Sequence, residues 1–173
     1  EDAVNNELKN LYNQFFDAKI YGSILRLEFI DVEIIEEAIK QLRTSRVEDI
    51  IAQGYLNFEV PIIEELVEQY RFLTMRYDIV VTNPPYMGSN GMEAKLSKYV
   101  KKFYPNTKSD LFAVFMDVSS NITKNYGYYA MINQQSWMFL ISYEKLREVI
   151  LKDKTIINMV HTGARTFPEI GGE

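Results

Sequence analysis

Apolar residues in the first part of the chain recur with the period of a helix. Over residues 3–20, four apolar side chains share one side of a predicted helix, namely Leu8, Leu11, Phe15 and Phe16. Asp31 is suited to cap a second helix over residues 32–42. Pro61 fits the first turn of a third helix, which is predicted to run to residue 73.

Two stretches between these helices leave alternatives open. Residues 24–30 are short and apolar, which is typical of either a strand or an extended connector. Residues 44–58 are ambiguous, and one short helix around 47–53 is the favoured interpretation. No catalytic constellation appears before Tyr77, so we interpret residues 1–76 as a mainly helical insertion or linker region.

The pattern changes at Tyr77, where apolar runs begin to alternate with helical segments. The runs predict strands over residues 77–82, 128–133 and 155–161, with a turn at 125–127. Helices are predicted over 93–103, over 111–123 with Asp110 as its cap, and over 142–151 with Ser142 as its cap. This alternation indicates a parallel α/β sheet with helices on both faces, in which the first strand is buried.

A rigid polar loop, Asn83-Pro84-Pro85-Tyr86, directly follows the first of these strands. In open α/β sheets, ligands and chemistry lie at the carboxyl ends of the strands. Asn-Pro-Pro is also an ordinary turn sequence, with a purely structural interpretation. Its position at the end of a predicted buried strand favours the functional interpretation.

These residue types suit methyl transfer to a planar exocyclic amino group such as N6 of adenine. The lone pair of that nitrogen is delocalised, and two hydrogen-bond acceptors on its N–H groups would favour a more tetrahedral, reactive nitrogen. The Asn83 side chain and the Pro84 carbonyl can be those acceptors. Pro85 restricts the backbone of Pro84 and so presets the carbonyl, and Tyr86 can stack on a flipped base.

Composition limits the other chemistry that the chain can carry. It has 173 residues, enough for one domain with a sizeable core. With no cysteine and only one histidine, His161, it can form neither a disulfide nor a thiolate or multi-histidine metal site, and we expect no metal. No apolar stretch is long enough to span a membrane and no signal peptide is recognisable, so the cytoplasm is the expected location.

The formal net charge of −5 is unusual for a protein that binds nucleic acid. The charge is uneven, however, because five lysines follow the Asn-Pro-Pro-Tyr loop, namely Lys95, Lys98, Lys101, Lys102 and Lys108. This cluster is either a solvated helix face or a surface that contacts phosphates.

From Tyr77 onward the chain resembles adenine-N6 DNA methyltransferases, in particular the large methylases of type IIG restriction–modification enzymes and the PglX-type methylase of BREX phage-defence systems. The resemblance rests on the tetrapeptide in its strand and on five further stretches in family order, at residues 108–115, 127–132, 135–140, 142–147 and 163–168. It implies part of a Rossmann-like class I methyltransferase sheet that uses S-adenosylmethionine and acts on double-stranded DNA by base flipping.

The resemblance also implies roles for individual residues. Asn83, Pro84 and Tyr86 match the catalytic motif that binds the flipped adenine, with Pro85 between them as a substrate-binding residue. Phe167 matches an aromatic residue that packs against the base, and Lys108 and Arg165 are candidates for phosphate contacts. Asp110 and Phe112 match a segment near the cofactor, although Phe112 is equally suited to the core. Trp137 is a core candidate that could also border the site.

One departure from the family pattern changes the expectation. No segment before Tyr77 contains the family's glycine-rich cofactor loop, because Gly22 and Gly54 are isolated, and no acidic residue can be assigned to the cofactor ribose. We therefore expect residues 77–173 to be the C-terminal part of a catalytic domain. The remainder of a longer protein, with a target-recognition domain and possible defence-system subunits as partners, would be needed for activity, and this part alone is expected to be inactive.

Two rival functions remain at the level of sequence. The first is a methyltransferase that acts on protein glutamine or on RNA, because a planar amide poses the same chemical problem. The second is a non-catalytic interaction module in which residues 1–76 dock partner proteins. An intact Asn-Pro-Pro-Tyr loop argues against the second, since a scaffold has no use for a base-binding amide.

Overall fold

A computed structural model describes residues 2–44 and 53–163 of the chain. Before Tyr77 it contains only helical elements, as the apolar periodicity predicted. These are α1 (Asp2–Phe15), α2 (Ala18–Tyr21), a 3-10 turn (Gly22–Ile24), α3 (Val32–Thr44), a π-helical turn (Tyr55–Glu59) and α4 (Val60–Thr74). The short helix predicted around residues 47–53 falls almost entirely outside the described residues.

The start signals of these helices act as predicted. The Ile34 N–H donates to the Asp31 carboxylate at 3.4 Å, and Pro61 lies in the first turn of α4. Residues 25–31 form an extended connector and not a strand. The prediction for Phe16 was wrong, because α1 ends at Phe15 and the following turn leaves Phe16 84% exposed.

After Tyr77, strands and helices alternate. The elements are β1 (Tyr77–Thr82), α5 (Ala94–Phe103), α6 (Leu111–Ile122), β2 (Thr123–Met131), two 3-10 turns (Gln135–Met138 and Ile141–Tyr143) and α7 (Glu144–Asp153). Asp110 caps α6 as predicted, since its side chain accepts from the Phe112 N–H. Ser142 does not cap α7, because two consecutive 3-10 turns shift the N-cap to Tyr143, which makes no side-chain cap bond.

Strands β1 and β2 form a two-stranded parallel sheet in the described part of the chain, which gives a mixed α/β architecture. Tyr77 pairs with Thr123 whereas Ile79 pairs with Tyr128, so residues 124–127 form a bulge inside β2. The turn predicted at 125–127 therefore lies within the strand, and Tyr126 has a positive φ of 64° there.

One face of this sheet is covered and the other is not. Helix α6 packs on the face that carries Met131, which lies against the buried cluster that includes Phe112 and Met116. On the opposite face Ile79 is 66% exposed and Val81 is 75% exposed. The prediction of a strand buried on both faces is therefore wrong for the described residues, because α6 lies on one side and no helix covers the other.

The strand predicted at 155–161 does not form. The described residues after α7, from Lys154 to Gly163, have no regular secondary structure, and their side chains are exposed. A strand needs a neighbour to accept and donate its backbone hydrogen bonds, and none is present among the described residues. An alternating apolar pattern was therefore insufficient to predict this strand.

The helical region and the α/β region pack together through aromatic side chains. The rings of Tyr21 and Tyr99 stack with their centroids 3.9 Å apart, and Ile24 shares a buried cluster with Val100 of α5. The Tyr104 hydroxyl donates to the Ile24 carbonyl at 2.6 Å. Burial of this hydroxyl raises the pKa of Tyr104 to about 12.

We expect Tyr104→Phe to lower the free energy of unfolding by about 1 kcal/mol, because it removes one buried hydrogen bond and leaves the Ile24 carbonyl unpaired. The raised pKa stabilises the native chain below pH 10, and this contribution is lost as the pH rises through about 12. The variant should lose this contribution, so its stability should fall less steeply at alkaline pH, while Tyr99 and Tyr129, whose pKa values burial also raises, keep part of the dependence. Urea unfolding between pH 8 and 12 measures both effects, and Tyr126→Phe at a fully exposed position is the matched control.

Gly127→Ala should destabilise the chain by about 1–3 kcal/mol, the usual cost of overpacking. A Cβ atom at Gly127 would lie 2.7 Å from the Asp78 carbonyl oxygen and 2.8 Å from Cγ2 of Thr123, so the bulge would have to open. Gly54→Ala meets no atom within 4 Å and should be neutral or slightly stabilising. Equal thermal midpoints for the two variants would contradict the tight packing at the bulge.

Candidate active site

The Asn-Pro-Pro-Tyr loop lies at the carboxyl edge of the sheet, where β1 and β2 end side by side. Thr82 pairs with Met131 at the last step of the ladder, so Asn83 and Ile132 leave the sheet together. Asn83 and Pro85 are exposed, whereas Pro84 is buried. The loop therefore exposes the Asn83 amide to solvent, while the next residue, Pro84, is packed inside the protein.

Tyr86 is held at both ends of its side chain. Its hydroxyl donates to the Ile132 carbonyl at 2.7 Å and also lies 3.4 Å from Oδ1 of Asn83. Its ring meets the ring of Phe112 edge to face, with centroids 6.4 Å apart and planes at 75°. Burial raises the pKa of Tyr86, so the hydroxyl keeps its proton at neutral pH and can donate.

The tyrosine hydroxyl has a single proton, which decides between these two acceptors. The hydroxyl donates its proton to the hydrogen bond with the Ile132 carbonyl, which at 2.7 Å is much the shorter of the two contacts. The Asn83 oxygen at 3.4 Å is therefore left largely available. An exposed amide oxygen beside a fixed aromatic ring can accept a hydrogen bond from a planar amino group that stacks on that ring.

Asp110 lies directly behind this loop and is only 8% exposed. Its Oδ1 accepts from the backbone N–H of Met87 at 3.0 Å and from that of Phe112 at 3.2 Å. The Leu111 N–H donates to the Met87 carbonyl at 3.0 Å, and Gly88 and Asp110 form an antiparallel bridge. The loop is thus tied to the first turn of α6 by several hydrogen bonds.

Phe112 has no exposed surface and packs in the core with Tyr143, whose ring centroid is 5.6 Å away. Its contact with the site runs through the ring of Tyr86. Trp137 is partly buried against the same cluster, which fits its core interpretation. Direct contact with a ligand is therefore open to the loop residues and not to the Phe112 side chain as it is packed here.

Sequence reasoning missed two groups at this edge, the Ile132 carbonyl and the side chain of Asn133. Oδ1 of Asn133 is buried and has no hydrogen-bond partner among the described residues. The signal was present in principle, because the ends of two parallel strands meet at one edge. The bulge in β2 shifts the register of the two strands, so the residues that lie side by side at their ends could not be inferred from the sequence.

The five lysines after the loop differ in their surroundings. Lys95 is paired with Asp17 at 2.9 Å and ties α5 to the helical region. Lys98, Lys101 and Lys102 are exposed on α5. Lys108 lines a groove of about 350 Å³ together with Lys145 of α7 and with Pro105, Asn106, Ile141, Ser142 and Glu144.

Two sequence-predicted site residues, Arg165 and Phe167, lie outside the described residues. His161 contacts Oε1 of Gln135 and sits in an irregular, exposed segment. Within residues 2–44 and 53–163, no group of three or more acidic or histidine side chains is arranged to hold a metal ion. Over the same residues, no helix has the length and apolar character needed to cross a membrane.

Comparison with known proteins gives consistent results. Residues 6–167 match the family described as Eco57I restriction-modification methylase. The chain is 43% identical over 159 residues to the adenine-specific methyltransferase BrxX of Escherichia coli O9:H4 (strain HS), covering 92% of this chain. It is 39% identical over 178 residues to the adenine-specific methyltransferase PglX of Lacticaseibacillus casei (strain Zhang), covering 98% of this chain.

A more distant relative is the type II restriction enzyme and methyltransferase RM.Eco57I of Escherichia coli, which is 25% identical over 103 residues and matches 57% of this chain. The chain spans 13% of the length of BrxX and 14% of that of PglX. The family match covers nearly the whole chain, including the loop, the strands and α6. This chain belongs to the Eco57I restriction-modification methylase family.

Proposed function

We propose that this chain forms the acceptor-binding part of a methyltransferase that modifies N6 of a flipped adenine in double-stranded DNA, in restriction–modification or phage defence. The observation that carries the proposal is the exposed Asn83 amide beside Tyr86, whose hydroxyl is anchored to the Ile132 carbonyl at 2.7 Å. Two relatives at 43% and 39% identity are named adenine-specific methyltransferases, which supports adenine as the target.

The proposed mechanism is hydrogen-bond positioning and not general-base catalysis. The Asn83 oxygen accepts one N–H of the adenine amino group, and the Pro84 carbonyl accepts the other. Pro84 is buried, which limits movement of its backbone, and Pro85 restricts it further. Two acceptors held in place before the reaction direct the nitrogen lone pair toward the incoming methyl group.

We propose S-adenosylmethionine as the methyl donor, which when bound supplies an electrophilic methyl group. The described residues around the loop offer few groups that could hold it. Phe112 is fully buried, the Asp110 Oδ1 is occupied by two backbone N–H groups, and no glycine-rich loop precedes β1. Asn133 also lies at this edge, and its buried Oδ1 could accept a hydrogen bond from a ligand because it has no partner among the described residues. We therefore assign to this chain the binding of the methyl acceptor, the adenine base, and not the binding of the methyl donor.

We further propose that the complete protein supplies the rest of a Rossmann-like catalytic domain and its target-recognition part, with the division of this chain near residue 77. The bare apolar face of the sheet supports this proposal, because Ile79 and Val81 lack a covering layer among the described residues. Lys108, Arg165 and Phe167 are proposed DNA contacts. Lys108 lines a groove with Lys145, where two positive charges suit a phosphate.

Replacement of Asn83 by alanine should abolish N6-methyladenine formation or lower its rate by about 10²–10³-fold, the usual effect of removing one preorganised hydrogen-bonding group. The measurement is nucleoside mass spectrometry on genomic DNA from a methylation-deficient host that expresses the complete protein. Asn125→Ala is the matched control, since that asparagine is exposed in the β2 bulge. Equal methylation by Asn83→Ala and the parent would refute the role of Asn83. Absence of methyladenine with a folded parent would favour protein glutamine or RNA as the substrate.

Two substitutions at Tyr86 should separate stacking from anchoring. Tyr86→Phe keeps the ring but loses the bond to the Ile132 carbonyl, so we expect a loss of activity of about tenfold. Tyr86→Ala also removes the stacking surface, worth about 1–3 kcal/mol per base, and should be clearly worse. Steady-state kinetics on a duplex that contains the target site measures both. Identical rates for the two variants would show that the ring does not contact the base.

A further inference from the structure

We propose that Asp110 is a positioning residue for methyl transfer, which holds the Asn-Pro-Pro-Tyr loop in its substrate-binding conformation through the backbone of Met87. The inference rests on the proposed function and assigns Asp110 a role different from the cofactor contact that the family resemblance suggested. It follows from the contacts of a single carboxylate oxygen with two backbone segments.

One oxygen of Asp110 joins the loop to the helix. Oδ1 accepts from Met87, the residue directly after Tyr86, at 3.0 Å and from Phe112 in the first turn of α6 at 3.2 Å. The second bond is an ordinary N-cap, which any short polar residue could make. The first bond is not needed by the helix, because it ends on a loop that lies 23 residues earlier in the chain.

The surroundings make this bond strong. Asp110 is 8% exposed, so little water competes for its carboxylate. Bonds from backbone N–H groups to an ionised carboxylate are stronger than those to neutral acceptors, and the helix N-terminus adds a favourable dipole. Leu111 and Ser109 extend the junction, since the Leu111 N–H donates to the Met87 carbonyl and the Ser89 N–H donates to the Ser109 carbonyl.

These contacts fix Tyr86 from three directions. Asp110 binds the backbone directly after Tyr86, the ring of Phe112 packs edge to face against the ring of Tyr86, and the Ile132 carbonyl accepts a hydrogen bond from the Tyr86 hydroxyl. Two of the three contacts come from the first turn of α6. A change at Asp110 should therefore move the loop even though its carboxylate does not touch the substrate, and a displacement of about 1 Å at such a site can lower a rate by about 100-fold.

Two substitutions separate this role from simple helix capping. Asp110→Ser keeps a capping oxygen for Phe112, but the shorter side chain cannot also reach the Met87 N–H. Asp110→Asn keeps a carbonyl oxygen in the position of Oδ1 and can accept from both. Asp31→Ser is the matched control, because Asp31 is also an aspartate that caps a helix, α3, and it lies in the helical region of the chain.

The experiment measures methylation kinetics and hydrogen–deuterium exchange of the complete protein for the three variants. We expect Asp110→Ser to lower kcat about 10- to 100-fold with a smaller change in KM for DNA. Exchange should accelerate in peptides that cover residues 86–91 while those within α6 stay protected. Asp110→Asn should retain most of the activity and the protection, and Asp31→Ser should match the parent.

Unchanged exchange at residues 86–91 in Asp110→Ser, or equal kcat for Asp110→Ser and the parent, would overturn the proposal and leave Asp110 as a helix cap alone. A parent protein that shows no methylation would refute the proposed function. Hydrogen–deuterium exchange still tests the loop anchor in that case, because it can be measured on an inactive protein. Faster exchange at residues 86–91 in Asp110→Ser but not in Asp110→Asn would show that Asp110 anchors the loop.

Discussion

The burial of the first turn of α6 is the constraint on which the other features of the α/β region depend. Phe112, Ala113 and Val114 have no exposed surface, so this turn cannot shift without opening two core clusters at once. Burying a large apolar side chain stabilises a fold by about 1.5–3 kcal/mol, which makes this turn one of the firmest parts of the structure. The helix cap and the loop contacts are built on it.

The Asn-Pro-Pro-Tyr loop gains its order from that turn as well as from its own residues. Two prolines restrict its backbone, but they cannot orient the aromatic ring or the segment that follows. Asp110 and Phe112 supply these constraints from α6, and the Ile132 carbonyl supplies the third from the end of β2. The loop is thereby held in one conformation at the edge of the sheet, which has two strands within the described residues.

Charge has a local role in this chain. The net charge of −5 opposes DNA binding by the whole surface, yet the basic residues differ in their surroundings. Lys95 is held by Asp17, and Arg71 and Arg43 pair with Glu36 and Glu64 in the groove between α3 and α4. Pairs as exposed as these contribute little to stability. Lys108 and Lys145 share a groove with a single carboxylate, that of Glu144, so the groove lining has a net positive charge.

The sequence by itself determined most helices of the described residues and the β1 strand. Local signals were sufficient there, namely the apolar period of α1, the caps Asp31 and Asp110, Pro61, and the run before Asn83. These features depend on residues that are near in the chain, which is why local reasoning reached them.

Only the tertiary structure decided the features that need a distant partner. Within residues 2–44 and 53–163, the segment predicted as a strand at 155–161 has no neighbouring strand, and one face of β1 is uncovered although Ile79 and Val81 there are apolar. The link from Asp110 to Met87 joins residues 23 positions apart, and the Tyr86 hydroxyl reaches a carbonyl 46 positions away. Because no local pattern encodes which strands pair or what a side chain meets across the fold, these contacts became visible only in three dimensions.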